Sequence, residues 1–178
     1  SIYFNNREGF TVLSERERNG LKLDHISNIH ELNEAEQTNI SHGLLWLKKQ
    51  KKSPLSDAFM RRLHKELFGE VWSWAGKYRT SEKNIGVDHW KIASELKKLC
   101  DDTQYWLENK TYDWHELVAR FHHRLVSIHP FANGNGRFSR IITNYFCRLN
   151  GQDIISWGAS LPPEERRHQY IAALQAAD

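Results

Sequence analysis

Hydrophobic residues recur three to four positions apart along most of the chain, and this spacing predicts a mainly helical fold. The first clear helix is expected to begin after a cap at Ser27 or Asn28 and to end near Lys49. Pro54 then breaks the chain, and Ser56 is a suitable cap for a second helix. Further helices are expected over residues 92–107, over 113–128 with Asp113 as the cap, over 137–149, and from about residue 161 onward.

Two segments depart from the helical pattern. Residues 1–26 show no clear period, and the polar run at 16–20 suggests an exposed, loosely structured arm that packs on the domain. Residues 79–90 place Gly86 among polar residues, which is typical of a short β-hairpin or extended flap, with a plain surface turn as the alternative. The predicted organisation is an arm over 1–26 and one helical domain over 27–178.

A single domain of this size can bury a hydrophobic core of its own. The chain has 178 residues, 39% of them hydrophobic, with seven Trp, eight Phe and six Tyr. Cys100 and Cys147 fall among apolar helical positions, so two buried thiols are favoured over a disulfide or a metal pair.

Charge and hydropathy limit the classes of partner. The net charge of +3 is too small to indicate nucleic acid, and the basic run at 48–52 is best explained as a solvated helix end. No stretch is long and apolar enough to cross a membrane, and the first residues do not resemble a signal peptide. A cytoplasmic location is therefore expected.

The spacing of the histidines does not suggest a metal site. His122, His123 and His129 lie close in sequence, but adjacent residues point to different faces of a helix and no His-Glu-x-x-His pattern accompanies them. His64 has no further ligand at suitable spacing, so a core or surface role is favoured for it.

One stretch, residues 129–140, concentrates most of the chemistry. It reads His-Pro-Phe-Ala-Asn-Gly-Asn-Gly-Arg-Phe-Ser-Arg. Pro130 disfavours helix at His129, so the preceding helix should end there. Gly134 and Gly136 flank Asn135 at the start of the next helix, where converging N–H groups and the helix dipole favour an anion.

Two arginines add to this anion site. Arg137 and Arg140 lie on the first turns of the helix, so a titratable imidazole and a phosphate-binding turn fall within one short segment. The segment is not a Walker loop, because that motif requires Gly-Lys-Ser/Thr and this chain has arginine. The alternative interpretation is a glycine-rich loop with a capping histidine.

This segment resembles the signature of the Fic family, His-Pro-Phe-x-(Asp/Glu/Asn)-Gly-Asn-Gly-Arg-x-x-Arg, over its whole length. Residues 74–80, Trp-Ala-Gly-Lys-Tyr-Arg-Thr, resemble the family segment that leads into an active-site flap. The order of elements is similar to the Fic/Doc subgroup called mobile mystery protein B. The resemblance covers roughly residue 30 to the C-terminus and implies a Fic-type helical bundle with a short β-hairpin flap over the active site.

The resemblance implies a protein adenylyltransferase that moves AMP from ATP, with Mg²⁺, to a Tyr, Thr or Ser hydroxyl of a target protein. His129 would be the general base and Arg137 a catalytic cation, while the target, or the chain itself in self-modification, would dock along the flap by strand addition. The residues that match nucleotide-contacting positions of the family are Asn84, Ile85, Gly86, Val87, Asn133, Gly134, Asn135, Gly136, Arg137, Arg140 and Tyr170.

Many family members also carry an inhibitory glutamate that pairs with the second signature arginine, here Arg140. The corresponding helix would be residues 27–50, although no clean copy of Ser/Thr-x-x-x-Glu-Gly/Asn is present. The stretch from Ser27 to Glu31 matches half of the pattern, and Glu36 matches by position, so Glu36 is the expected inhibitory residue. Acids in the first helical turns could instead simply complement the helix dipole.

One departure from the signature affects the metal. Strongly active relatives usually have Asp or Glu where this chain has Asn133, and the neutral amide oxygen is a weaker ligand for Mg²⁺. Alternatives are therefore another phosphate-containing donor, removal of AMP, or a nucleotide-sensing or protein-binding module with little turnover. The intact Gly-Asn-Gly-Arg at 134–137 favours AMP transfer over phosphorylation, and nucleic-acid binding is the least favoured function.

Overall fold

The computed structural model describes residues 13–157, and this part of the chain is mainly helical, as predicted. A short 3₁₀ turn, His89–Lys91, precedes the fourth helix. The α-helices of this part are α1 Glu15–Arg18, α2 Ile29–Lys48, α3 Asp57–Phe68, α4 Ile92–Asn109, α5 Trp114–Ile128 and α6 Asn135–Leu149. The helix predicted from about residue 161 lies outside the described residues.

Three of these helices begin at the caps that the sequence predicts. The side chains of Asn28, Ser56 and Asp113 each accept a hydrogen bond from the backbone N–H three residues later, at 2.9, 3.1 and 2.9 Å. These bonds satisfy amides that have no acceptor within the first helical turn. Capping residues therefore locate the starts of α2, α3 and α5 correctly.

The core forms around α3. This helix packs against α2, α4 and α6, while α5 packs between α4 and α6. Within residues 129–140, Phe131 precedes the two glycines and Phe138 follows them, and both side chains are fully buried in the same core. The segment that carries the chemistry is therefore anchored by its own aromatic residues rather than held as a free surface loop.

The two cysteines, Cys100 and Cys147, are buried free thiols, as the sequence predicts. Burial raises the pKa of Cys100 to about 12, so this thiol is unreactive near neutral pH. Within residues 13–157, none of the helices combines the length and the apolar character needed to span a bilayer.

Residues 13–26 contain a helix that the sequence pattern does not reveal. Helix α1 is only four residues long, too short to show a period, and it begins with a capping box in which Ser14 and Glu17 exchange hydrogen bonds. Leu13 and Ile26 are buried at either end of the segment. This part of the predicted arm is thus packed against the helical domain.

The hairpin predicted for residues 79–90 is wrong, because the described residues contain no strand there, only bends, irregular backbone and the start of the 3₁₀ turn. The hydrogen-bonding groups that a hairpin ladder would use are bonded elsewhere. The N–H of Arg79 donates to Pro130 O at 2.9 Å, and the N–H of Val87 donates to Ile128 O at 3.4 Å. We keep the name flap for residues 79–90, since both ends lie against the end of α5.

Asn39 provides a test of the contact between α2 and α3. Its Nδ2 donates to Glu66 O at 3.0 Å and its Oδ1 accepts from Glu70 N at 2.9 Å. We expect Asn39→Ala to lower the free energy of unfolding by about 1–2 kcal/mol, because a partly buried donor and acceptor lose their partners. Urea denaturation measures this change.

Ser41→Ala on the exposed face of the same helix is the matched control and should change stability by less than about 0.5 kcal/mol. Equal effects of the two substitutions would contradict the role given to Asn39.

Candidate active site

His129 ends α5 in a left-handed backbone conformation, with φ of 52° and ψ of 65°. Its N–H still donates to Leu125 O at 3.2 Å, and Pro130 follows, so the predicted end of the helix is confirmed. This conformation costs a residue other than glycine about 1–2 kcal/mol, so neighbouring contacts must hold it in place. The residue is buried, with only 6% of its surface exposed.

The turn after His129 is closed by the buried side chain of Asn135. Its Oδ1 accepts from Phe131 N at 2.9 Å, and its Nδ2 donates to Phe131 O at 2.8 Å. The sequence assigned Asn135 to the nucleotide. In the structure its side chain holds the loop. Its backbone N–H lies in the first turn of α6, where amides have no acceptor within the helix.

The two glycines of the turn serve different purposes. Gly134 has a φ of 78°, and a Cβ there would meet the ring of Phe68 at 2.6 Å, so the fold itself requires glycine. At Gly136 a Cβ would meet nothing closer than Arg140 Nη1 at 3.6 Å. Since the fold leaves this position open, the missing side chain at Gly136 leaves room for a ligand to approach the backbone.

His64 supports the turn from α3. The N–H of Gly76 donates to its Nδ1 at 3.0 Å, so the ring proton is on Nε2, which donates to Asn133 O at 3.0 Å. The ring stacks on Phe131 with centroids 3.7 Å apart. Burial, with a contribution from the charge of Arg137, lowers the pKa of His64 to about 3, so the imidazole stays neutral. The sequence left a core or a surface role open for His64, and the structure shows the core role.

Arg79 joins the flap to the end of α5, and its side chain is completely buried. Its Nε donates to His129 O at 2.6 Å, and its Nη2 donates to Ile128 O at 3.2 Å and to Val87 O. Burial lowers the pKa of Arg79, with opposition from nearby acids, and the guanidinium remains a cation. The sequence gave no sign of this role, because an arginine before a polar segment is usually exposed.

The flap backbone lies directly against His129. Gly86 has a φ of 109°, and a Cβ there would meet Arg79 Nη2 at 2.7 Å and His129 Cβ at 2.8 Å. Of the four flap residues assigned to the nucleotide, Gly86 and Val87 therefore contact the end of α5. Asn84 and Ile85 lie on the preceding turn, where Asn84 is exposed.

Helix α1 holds the flap from its other side. Glu17 accepts hydrogen bonds from Ser81 Oγ at 2.8 Å and from Lys83 Nζ, and its backbone carbonyl accepts from Trp74 Nε1 at 2.8 Å. Burial tends to raise the pKa of Glu17, but these hydrogen bonds and the charge of Lys83 lower it overall. The N-terminal segment is thus part of the support of the site.

Glu36 lies in α2 and forms an ion pair with Arg137, with Nη2 and Oε2 3.2 Å apart. Trp72 Nε1 donates to the same carboxylate oxygen at 3.4 Å, and the Glu36 side chain is 8% exposed. The pairing expected from the family was with Arg140. Arg137 is the arginine that lies over the ring of Phe68, 4.9 Å from its centroid, and so extends toward α3 and the adjoining α2.

Arg140 lies beside Gly136 and close enough to α5 to influence His122. Burial and then the positive charge of Arg140 lower the pKa of His122 to about 4. The ring of His122 packs on Trp157, with centroids 4.5 Å apart. Tyr170, the remaining residue assigned to the nucleotide, lies outside the described residues.

The described residues do not make a magnesium site by themselves. Asn133 Oδ1, the one ligand that the sequence suggested, already accepts the N–H of Gly134 at 2.7 Å. In residues 13–157, no group of three or more His, Cys, Asp or Glu side chains is placed to hold a metal ion. The donor set is therefore neutral and partly occupied, which fits a hard dication poorly.

Comparison with known families identifies the region that carries this site. The model of the Fic/DOC family matches residues 54–147, from the break before α3 into the last turn of α6. The matched region includes α3, the flap, α5 and the whole of residues 129–140.

Curated relatives share this region over part of their length. The protein adenylyltransferase fic-1 of Caenorhabditis elegans is 32% identical over 111 residues, covering 58% of this chain and 20% of the relative. The protein adenylyltransferase Fic of Nematostella vectensis is 30% identical over 138 residues, covering 72% and 30%. The chain thus spans less than a third of the length of these relatives.

Solved structures share the fold. The N-terminal Fic domain of a putative cell filamentation protein from Bartonella quintana, solved with bound ADP, aligns with a TM-score of 0.73 at 20% identity, over 91% of this chain and 89% of that one. Fic-1 from C. elegans aligns with a TM-score of 0.62 at 28% identity, over 89% of this chain and 47% of that one.

His64 gives the protein a testable dependence of stability on pH. Its pKa is about 3 in the folded protein and near 6.5 in the unfolded chain, so only the unfolded chain takes up this proton as the pH falls below about 6.5. The stability contributed by the neutral ring is complete above that pH. It is lost toward about pH 3, at about 1.4 kcal/mol per pH unit once the unfolded imidazole is protonated.

We expect the free energy of unfolding of His64→Gln to fall less steeply with decreasing pH than that of wild type. The difference in slope should be about 1.4 kcal/mol per pH unit between about pH 5.5 and 4, measured by urea denaturation. His115→Gln, at an exposed position of α5, should keep the wild-type slope. Identical slopes for wild type and His64→Gln would show that His64 becomes protonated within the folded protein.

Proposed function

The chain belongs to the Fic/DOC family, and on this premise we propose that it is a protein adenylyltransferase, which transfers AMP from ATP to a hydroxyl group of a target protein. The observation that carries the proposal is the geometry of residues 129–140, where a buried histidine adjoins an open helix N-terminus with two arginines. The names of the curated relatives support the same activity.

The start of α6 suits the triphosphate of ATP. Its N-cap is Gly134, which has no side chain to cap the amides of the first turn, and these amides have no acceptor within the helix. Gly136 lets a phosphate approach the backbone, and Arg137 and Arg140 add positive charge. The ADP bound to the Bartonella quintana domain supports an adenine nucleotide as the ligand of this fold.

The proposed reaction is an in-line displacement at the α-phosphorus. His129 accepts the proton of a Tyr, Thr or Ser hydroxyl, and the hydroxyl oxygen forms a bond to the α-phosphorus. The bond from this phosphorus to the oxygen bridging the β-phosphate breaks, and pyrophosphate leaves. Arg137 and the amides of the turn stabilise the charge that develops on the phosphate oxygens, which is where preorganised donors contribute most.

Magnesium enters this proposal only with the nucleotide. Asn133 offers a neutral oxygen that already accepts a hydrogen bond, so the chain itself contributes little to holding the ion. The steps assigned here to His129, Arg137 and the turn do not depend on a metal held by the protein.

The flap is the proposed docking site of the target. It adjoins His129, and a segment in extended conformation could bond to backbone groups on its outer side and bring a hydroxyl to the base. Because backbone groups are common to all sequences, selection among targets would come from side chains such as the exposed Asn84. The chain itself can serve as the target if one of its hydroxyl groups reaches the flap.

Glu36 is the proposed inhibitor of this activity. Its carboxylate is bonded to Arg137, the guanidinium that the triphosphate would engage, and carboxylate and phosphate oxygens compete for the same donors. Trp72 holds the carboxylate in place, and Glu36 is buried in α2. Nucleotide binding at Arg137 would require this ion pair to break.

We expect His129→Ala to reduce AMP transfer by roughly 10²–10⁴-fold, the usual contribution of a general base. The assay uses ATP labelled on the α-phosphate and measures label bound to protein in a lysate and on the chain itself. His115→Ala removes an exposed histidine from the same helix and should transfer AMP at the wild-type rate.

Equal transfer by His129→Ala and wild type would rule out His129 as the base. Binding of ATP without label in any variant would instead favour a nucleotide-sensing module.

We expect Glu36→Gln to increase nucleotide affinity by up to about tenfold. A neutral amide oxygen competes for Arg137 less strongly than a carboxylate, because a charge-assisted hydrogen bond is worth about 1.5–3 kcal/mol and a neutral one about 0.5–1.5 kcal/mol. Glutamine keeps the shape of the side chain and an oxygen for Trp72. Calorimetric titration with a non-hydrolysable ATP analogue measures the affinity, and label transfer should rise with it.

Glu34→Gln is the control, since Glu34 is an exposed acid of the same helix that contacts His30. If both variants bind the analogue as wild type does, Glu36 does not regulate the site.

A further inference from the structure

We infer that Arg79 is a positioning residue that holds His129 and the flap in one fixed arrangement. The inference rests on the proposed function only in taking His129 as the base. The buried guanidinium and the backbone N–H of Arg79 bind groups from two segments of the chain.

Arg79 holds the backbone on both sides of His129. Arg79 binds three consecutive carbonyl groups: Ile128 O through Nη2 at 3.2 Å, His129 O through Nε at 2.6 Å and Pro130 O through its backbone N–H at 2.9 Å. These peptide groups lie on both sides of the residue with a φ of 52°. Because a left-handed histidine needs outside contacts to persist, the three bonds account for its conformation.

The covalent geometry of His129 transmits this constraint from its backbone to its side chain. The direction of its Cα–Cβ bond is determined by the peptide groups on either side, so holding those groups determines where the imidazole begins. Rotation about the Cα–Cβ bond then covers only three staggered positions, so the ring can lie in only a few directions. Arg79 therefore limits the positions that the proposed base can occupy, without touching a substrate.

The same guanidinium also binds the flap. Arg79 Nη1 donates to Ser81 O at 2.9 Å and Nη2 donates to Val87 O, so the same planar group binds both ends of the turn. The Val87 N–H adds a bond to Ile128 O at 3.4 Å. Movement of the flap away from His129 would break these bonds together, which couples the docking surface to the base.

Electrostatics favours a geometric role over a simple ion pair. Carbonyl oxygens supply the close contacts of the guanidinium, and the nearest acid, Glu82, is 3.9 Å from Nη1 and is half exposed. Glu17 and Asp88 act on the guanidinium only through their charges. The carbonyls at the end of α5 carry the negative end of the helix dipole, which suits a buried cation.

Lysine cannot replace this set of bonds. An ammonium group keeps the charge but has one donor centre, whereas the guanidinium directs several N–H groups in fixed directions within a plane. Arg79→Lys therefore retains the cation and removes the geometry. Arg61→Lys is the matched control, because Arg61 Nε donates to Gly76 O at 2.9 Å, outside the flap and away from His129.

The test combines hydrogen exchange with single-turnover AMP transfer at saturating ATP. For Arg79→Lys we expect faster amide exchange confined to residues 80–88 and 128–131, and a transfer rate lower by about 10²-fold, the usual result of misplacing a reacting group by about 1 Å. The loss should persist at saturating ATP, which separates it from weaker nucleotide binding. Arg61→Lys should match wild type in both measurements.

Wild-type exchange at residues 80–88 in Arg79→Lys would overturn the inference, and so would an unchanged transfer rate. Faster exchange throughout α3 to α6 would also overturn it, because Arg79 would then be a general core residue. If wild type transfers no AMP, the proposed function fails, and local exchange in the two lysine variants alone decides whether Arg79 holds the flap to α5.

Discussion

The rest of the site depends on the satisfaction of buried backbone carbonyls at the end of α5. A helix that ends in the interior leaves carbonyl groups without partners, and these must be bonded or pay a desolvation cost. Arg79 supplies the donors, and its other N–H groups bond the flap. Arg79 thus provides partners for the carbonyl groups at the end of α5 and also holds the flap beside His129. The same hydrogen bonds therefore contribute to stability and to the geometry of the site.

A second set of contacts holds the turn from the opposite side. Phe131 is buried and stacked on His64, Asn135 closes the loop around the Phe131 backbone, and Gly134 fits against Phe68. Each of these residues belongs to the hydrophobic core or bonds to a residue that does. The start of α6 is therefore preorganised, and Gly136 remains open where a phosphate would approach.

The contact of Glu36 with Arg137 connects this rigid centre to α2. The Glu36 carboxylate, which accepts a hydrogen bond from Trp72 in a largely buried position, pairs with the Arg137 guanidinium. Such a pair is weak evidence for stability, because desolvation offsets much of its attraction. In the proposed reaction this pair matters more, since Arg137, the arginine that would stabilise the phosphates, is the one that Glu36 of α2 contacts. Any movement of α2 relative to α3 would alter the availability of Arg137.

The sequence by itself determined helices α2 to α6, the caps at Asn28, Ser56 and Asp113, the end of α5 at His129 and the segment that carries the chemistry, because these follow from local spacing and short-range hydrogen bonds. Only the tertiary structure decided which partners these groups have. The missing hairpin, the buried Arg79, the neutral His64 and the choice of Arg137 over Arg140 all depend on residues far apart in sequence. Such contacts arise when helices pack, and local pattern does not encode them.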